Sequence, residues 1–445
     1  MKSQDPGTES SAYGWYVLCV LTLAYVVSFL DRQILALMVG PIKADLGLTD
    51  TQISLLMGLA FGIFYTIMGV PLGRLADRKS RRGLIAAGVA VWCLMTASCG
   101  LAKNFLQLFI ARIGVGVGEA ALTPAALSMI SDYFPREKRG RAVGFYNMGV
   151  SLGAGTAMVL GGAVIGYVMS APPVVLPAIG ELRSWQLVFL LVGLPGLVIV
   201  LLMATIREPK RREMLSGQAG AVSLRFAGRY LADRWRVYVP LFVGMSVVTI
   251  IGYAYFSWIP TMFIRKFGWT ISEVGLAYGL LVLVCGPIGV NGGGWLADVL
   301  HRRGYRDAHL RTALIGAVIS LPTAALAPLM PTGELTLAMM VPASIGPAIS
   351  TAAGASALVM ITPNQMRGQT TALYYFTISI LGLTLGPTAV ALVTDYVFVD
   401  QGALHWSIAI VSGVAATFSV MLLWGGLGAY QRAVDESDTW SGVGG

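Results

Sequence analysis

Twelve stretches, each long and apolar enough to cross a bilayer, constrain this chain more than any other feature. A helix needs about 20 apolar residues to span the hydrocarbon core, and helices and closed barrels are the only spanning structures that satisfy their backbone groups there. Such stretches fall near 14–40, 50–77, 83–102, 105–131, 141–169 and 185–206, then near 237–264, 272–299, 310–330, 335–358, 368–396 and 405–430. A polar stretch near 207–236 separates two groups of six. The predicted fold class is an all-α membrane protein of about twelve transmembrane helices. The predicted domains are an N-terminal six-helix bundle over 1–206, a cytoplasmic linker over 207–236, and a C-terminal six-helix bundle with a cytoplasmic tail over 237–445.

Composition agrees with a membrane chain. Hydrophobic residues make up 56% and charged residues only 12%, against about 25% charged in a soluble domain. The net charge of +9 raises a nucleic-acid reading, but the basic residues sit in short runs between apolar stretches. Arg74, Arg78, Lys79, Arg81 and Arg82 follow the second stretch, and Arg136, Lys138, Arg139 and Arg141 follow the fourth. Arg207, Lys210, Arg211 and Arg212 lie in the centre, and Arg302, Arg303, Arg306 and Arg311 follow the eighth stretch. The alternate loops hold only Lys43, Lys103, Arg183, Arg265 and Lys266. By the positive-inside rule both termini and the centre are expected in the cytoplasm, which excludes nucleic acid as a partner. The polar opening "MKSQDPGTES" has no basic run, so the first stretch is expected to stay as a span. Cys19, Cys93, Cys99 and Cys285 show no ligand spacing, and His301, His309 and His405 have no ligand-like companions. No metal, cofactor or catalytic residue is expected.

The halves echo each other. "GRLADR" (Gly73–Arg78) matches "GWLADV" (Gly294–Val299), and "PREKRGRAVGFY" (Pro135–Tyr146) matches "PNQMRGQTTALY" (Pro363–Tyr374), at offsets of 221 and 228 residues. A duplicated six-helix unit follows, and duplicated halves around a central cavity are a transporter architecture. The expected fold is thus two pseudo-symmetric six-helix bundles about such a cavity.

The motifs resemble a known family. "GRLADRKSRR" (Gly73–Arg82) is similar to the signature loop of the major facilitator superfamily, with Ser80 where the family usually has glycine. "RIGVGVGEA" (Arg112–Ala120) resembles its fourth-helix motif, with Val115 in place of a polar residue, and "GLTLGP" (Gly382–Pro387) echoes its glycine-proline motif. "FLDRQILALMVGPIKADLGLTDTQISLLMG" (Phe29–Gly58) and "ARIGVGVGEAALTPAALSMISDYFP" (Ala111–Pro135) resemble the spinster branch more narrowly. That resemblance implies a carrier of lipids such as sphingosine-1-phosphate or lysophospholipids, embedded as a monomer in the cell (inner) membrane.

The chemistry centres on "SFLDRQIL" (Ser28–Leu35), where Asp31 and Arg32 interrupt an apolar helix. Each such charge costs about 2.5–3.5 kcal/mol at a helix centre. Adjacent residues are turned about 100° apart, so the two are expected to meet different partners. Ser28 and Ala36 leave the Arg32 face uncrowded. Arg112, Glu119 and Thr123 share one face of the fourth stretch, with Arg112 and Glu119 about 10 Å apart and not in contact. The family resemblance implies that helices one and four line the cavity, bringing Glu119 toward Arg32. Arg32 is then the expected headgroup anchor, since guanidinium binds phosphate bidentately and keeps its charge. Asp31 and Glu119 are the expected titratable partners for proton coupling, the alternative being a structural ion pair. The resemblance links Arg112 with proton movement, but it can equally hydrogen-bond carbonyls near the glycine-rich turns. Tyr146 and Asn291 are further expected cavity residues. Gly114, Gly116 and Gly118, with Gly149, Gly153, Gly161 and Gly162, are read as close-packing positions.

The resemblance also implies a conformational gate at Gly73, Asp77 and Asp298, with each carboxylate facing a helix N-terminus while the cytoplasmic side is closed. Arg78 and Asp132 are expected to extend it, whereas Lys79, Arg81 and Arg82 are assigned to topology alone. A lipid-modifying enzyme would need a nucleophile–base pair that the sequence lacks; a carrier of small organic anions or hydrophobic drugs stays open.

Overall fold

The computed structural model describes residues 11–171, 174–176, 180–209, 211 and 224–441. Among the described residues, twelve helical stretches are long and apolar enough to cross a membrane: Ala12–Leu37, Asp50–Arg78, Arg81–Cys99, Phe105–Tyr133, Glu137–Ser170, Ser184–Thr205, Trp235–Phe267, Ile271–Arg302, Ala308–Leu329, Gly333–Met360, Gln365–Phe398 and Gln401–Ser437. They are numbered one to twelve in chain order. The chain is an all-α integral multi-pass membrane protein. Among the described residues the only strands are Val174–Leu176 and Gly180–Leu182, an antiparallel pair with Val175 opposite Glu181. Much of the expected linker, 210 and 212–223, lies outside the described residues, and Leu224–Asp233 is a helix.

Two compact units result. One comprises Met1–Leu48, Ala60–Met214 and Thr270–Leu280; the other comprises Thr49–Leu59, Leu215–Trp269 and Leu281–Gly445. The start of the second span therefore packs with the second unit, and the start of the eighth with the first. These two stretches are themselves 221 residues apart, the same offset as the Gly73/Gly294 echo.

Their local chemistry repeats as well. Gly47 ends its helix in the left-handed region at φ 64°, and Gly268 does so at φ 71°, where the missing Cβ removes the steric penalty. Two residues on, Thr49 Oγ1 accepts from Gln52 N–H at 3.1 Å while Thr49 N–H donates to Gln52 Oε1 at 3.0 Å. Thr270 and Glu273 form the same reciprocal pair at 3.3 and 2.8 Å. Each is a capping box, so "GLTDTQ" and "GWTISE" stop one helix and start the next.

In the first unit the third and fourth spans cross backbone to backbone. A Cβ on Gly118 would lie 2.8 Å from Gly88 O, and one on Gly88 would lie 2.7 Å from Gly118 O. Gly116 meets the second span equally closely, 2.6 Å from Phe61 O. Between lipid-facing helices, close packing and not hydrophobicity drives association, so these glycines set the crossing. Gly118→Val is expected to lower the melting temperature in detergent, as overpacking costs about 1–3 kcal/mol; an unchanged temperature would contradict this packing account. Gly162 packs likewise against Gly275, and Ser272 Oγ donates to Gly162 O at 3.1 Å.

The second unit is built around Leu241, Met245, Ala313, Ala357, Tyr374 and Leu423. Its ninth and tenth spans repeat the small-residue crossing: a Gly346 Cβ would fall 2.7 Å from Gly316 O, and Ser350 Oγ donates to Ala313 O at 2.8 Å. The second-span start is held there by polar bonds. Asp50, fully buried, accepts both Arg265 terminal nitrogens at 2.7 and 2.8 Å. Asp395 Oδ2 accepts from Thr51 N–H and Oγ1 at 2.6 and 2.7 Å.

Candidate functional site

Four spans of the first unit carry a buried charge cluster. The first span brings Asp31 and Arg32, the third Thr96, and the fourth Arg112 and Glu119, while the second supplies rings. The fourth span breaks immediately after Glu119, into helices Phe105–Glu119 and Leu122–Tyr133. Pro124 is the local cause: it has no N–H to give Ala120 O, and its ring crowds that carbonyl. Glu119 consequently sits at an interrupted helix end instead of mid-helix.

Arg32 Nε and Nη2 both donate to Glu119 Oε2 at 2.7 Å. The guanidinium carbon also lies 4.9, 4.8 and 4.9 Å from the ring centroids of Phe29, Phe61 and Tyr65. Desolvated cation–π contacts are worth about 2 kcal/mol or more, so this arginine is cradled on its faces and ion-paired at its edge. Its side chain retains 14% exposure, against 0% for Glu119. Arg112, 1% exposed, has the Phe61 centroid at 5.5 Å and donates to Asp31 O at 3.1 Å. Phe61 thus serves two guanidiniums.

Asp31 differs in kind. Its residue is 1% exposed, and neither carboxylate oxygen has a hydrogen-bond partner. Glu119, Arg112, Arg32 and the Thr96 hydroxyl act on it electrostatically, yet Thr96 Oγ1 does not reach bonding geometry and also stands unpaired. Glu119 Oε1 and the Tyr146 hydroxyl are in the same condition. Tyr146 is fully buried and stacks on Tyr25 at 4.8 Å and 8°, with Thr123 as the hydroxyl acting on it. The cluster therefore holds two cations, Arg32 with 14% of its side chain exposed and Arg112 buried, one paired carboxylate with a spare oxygen, and one carboxylate with no hydrogen bond.

Asp31, Arg32, Arg112, Glu119, Thr123 and Tyr146 are in one unit, and Arg32 with Glu119 are in direct contact. Asn291 is not among them. It lies in the second unit, is exposed, and donates to Pro287 O in its own helix at 2.8 Å. The sequence reasoning missed Phe29, Phe61, Tyr65 and Thr96. A signal existed for two of them: Phe61 and Tyr65 are four residues apart on the second span and so share a face.

At the basic end of the same unit, the guanidinium reaching Asp132 belongs to Arg81, not Arg78, which corrects the assignment of Arg81 to topology alone. Arg81 is 1% exposed. It pairs with Asp132, donates from Nε to Glu208 Oε1 at 2.9 Å, and bonds Ser128 Oγ and Pro209 O at 3.0 and 2.9 Å. Glu208 also caps the third span, accepting from Ser80 Oγ and from the Arg81 and Arg82 N–H groups. Arg211 conversely donates to Ala76 O, Asp77 O and Lys79 O at the end of the second span. An anion at a helix start and a cation at a helix end both suit the macrodipole. Burial alone would raise the Glu208 carboxyl, but the donors from Arg82, Arg81 and Ser80 outweigh it and hold it below the ordinary 4.5. A carboxyl lowered on folding stabilises above its unfolded value, so this contribution is lost as pH falls below that range.

Removing Arg81 takes away the buried guanidinium that Asp132 and Glu208 share. Arg81→Ala is expected to cost about 3–5 kcal/mol, read as a lowered melting temperature; a loss no larger than that of Lys79→Ala would contradict this role. Of the other gate candidates, Asp77, Arg78 and Asp298 are exposed and form no ion pair among the described residues. A Gly73 Cβ would make only ordinary contact, 3.7 Å from Pro124.

A duplicated twelve-span fold with ionisable groups buried among its helices defines a membrane transporter, not an enzyme. Residues 21–387 match the Major Facilitator Superfamily, and the chain belongs to that family. Its structure is similar to the crystal structure of a bacterial homologue of the human lysosomal transporter Spinster, with a TM-score of 0.78 and 27% identity over 96% of this chain and 98% of that one. By sequence it is similar to an MFS-type efflux pump of Mycolicibacterium smegmatis, 27% identical over 95% of this chain and 94% of that protein. It is also 28% identical to the galacturonate transporter of Dickeya chrysanthemi over 63% of this chain and 81% of that protein.

Proposed function

We propose that this chain is a proton-linked secondary carrier that moves an anionic lysolipid or sphingoid phosphate across the membrane by alternating access. The observation that carries the reading is the partly accessible Arg32 guanidinium, held by Glu119 beside Asp31, whose carboxylate has no hydrogen bond. An anionic headgroup competes with Glu119 for Arg32 through bidentate hydrogen bonds. Glu119, displaced in a buried site, then gains by taking a proton, because an unpaired buried charge is costly. Asp31, with none of its bonds made, is the second group suited to exchange a proton there. Arg112 holds the first span through Asp31 O, and Thr123 and Tyr146 supply hydroxyls near the headgroup.

The spinster likeness supports a lipid-like substrate, and the basic loops support cytoplasmic termini in a cell (inner) membrane. Asp77, Asp298, Gly73, Arg78 and Asp132 remain the proposed cytoplasmic gate, and the working unit is proposed to be a monomer. A second reading is favoured by the galacturonate relative: a small organic anion on the same Arg32. Equilibrium binding to the purified protein separates them. A lysophospholipid should bind saturably and compete with no excess of galacturonate; binding of galacturonate alone would replace the lipid reading.

A further inference from the structure

The helix Leu224–Asp233 is none of the twelve spans and lies just before the seventh. It packs on the second unit through Ala227, Tyr230 and Leu231, positions that share a face at i, i+3 and i+4. Turned away from that face are Arg225 and Arg229, one turn apart and both exposed. The seventh span follows directly, opening on exposed Trp235 and Arg236. Arg234 is paired with Glu436 at 3.3 Å, but no carboxylate among the described residues pairs with Arg225, Arg229 or Arg236. Asp233 is the one acid between 225 and 236.

Position decides what such a surface meets. The seventh span has 33 residues and is about 50 Å long, more than the roughly 30 Å hydrocarbon core, so its ends reach the headgroup layer. Trp235, 55% exposed at that end, is a residue type that settles at this depth. Arg225 is ten residues before it, so the whole helix lies within about 15 Å of the interface. Phe226 shows 58% of its surface beside the arginines, the pairing of apolar and basic groups found on interfacial helices.

We propose that Leu224–Asp233, with Trp235 and Arg236, is an interfacial docking surface for the headgroups of anionic bilayer lipids. Arg225, Arg229 and Arg236 supply the charge, and Trp235 supplies the interfacial anchor. Buried Ala227 and half-buried Tyr230 and Leu231 couple the bound lipid layer to the second unit. This goes beyond the transport reading and does not depend on the substrate.

The test uses the full chain in nanodiscs of phosphatidylcholine with rising fractions of phosphatidylglycerol. A polarity-sensitive fluorophore is attached through Gly228→Cys, where an added side chain meets nothing within 4 Å, with the native cysteines replaced. Emission should shift to the blue as phosphatidylglycerol rises and return in high salt. Each arginine near an anionic surface contributes about 1 kcal/mol, so Arg225→Gln and Arg229→Gln should each raise the half-saturating fraction about fivefold. Arg225→Lys with Arg229→Lys should keep it near the parent value, which separates lost charge from lost folding. Emission independent of phosphatidylglycerol would overturn the proposal. So would emission already blue-shifted in pure phosphatidylcholine, which would mean that protein covers this face.

Discussion

Arg32→Ala should reduce binding of an anionic lysolipid by at least about a hundredfold, roughly 2.7 kcal/mol. The expectation rests on the double contact with Glu119 and the three rings around the guanidinium. These hold the cation in one place while its side chain keeps 14% exposure, so a headgroup oxygen has a fixed target. Truncation also strands Glu119 in a site with no exposure, and an uncompensated buried charge costs about 3–5 kcal/mol of stability. The two effects separate in the double variant Arg32→Ala with Glu119→Gln, which should recover the melting temperature but not the binding. Arg32→Lys should bind weakly, since ammonium lacks the planar fork that meets two oxygens. Full affinity in Arg32→Ala would remove the headgroup anchor from the account.

Glu119→Gln should abolish the pH dependence of transport while leaving the anion bound. An amide of the same shape keeps Arg32 in place but cannot compete as an anion or accept a proton. Binding should therefore tighten, and flux should lose its response to a proton gradient. Because Glu119 Oε1 accepts no hydrogen bond, an amide nitrogen placed there faces no donor, so folding should survive. Proton-coupled flux unchanged from the parent would transfer the coupling role to Asp31 or eliminate it.

Much of this arrangement was legible in the residues because the bilayer permits few solutions. Twelve apolar runs imply twelve spans, and the expensive charges in "SFLDRQIL" require partners somewhere. The turn of the helix separates the two charges: Arg32 reaches Glu119, while the Asp31 carboxylate forms no hydrogen bond. The glycines of the fourth span packed as their size suggests. What sequence could not show is which distant group completes a contact. Glu208 lies more than 120 residues from the Arg81 it binds, and nothing local marks either as more than a loop charge. Asn291 carried a polar amide at a suggestive depth, yet its helix satisfies it through Pro287 O. The exchanged starts of spans two and eight were readable in principle. "GLTDTQ" and "GWTISE" share little beyond a glycine and a capping threonine, but those residues carry the helix stop and start. Their offset of 221 matches the stronger echo at Gly73 and Gly294. Phe61 was opaque because an aromatic in a membrane helix is usually packing, and its role here comes from two arginines on other spans.

The central claim is that a proton gradient drives an anionic lipid through the Arg32 site. Proteoliposomes loaded with the purified chain, supplied with a labelled lysophospholipid and an imposed pH difference, test it most directly. The account predicts lipid flux that collapses when the gradient is dissipated and is absent in Arg32→Ala. Lipid flux indifferent to the gradient, or no lipid flux beside gradient-driven uptake of a small organic anion, would contradict it.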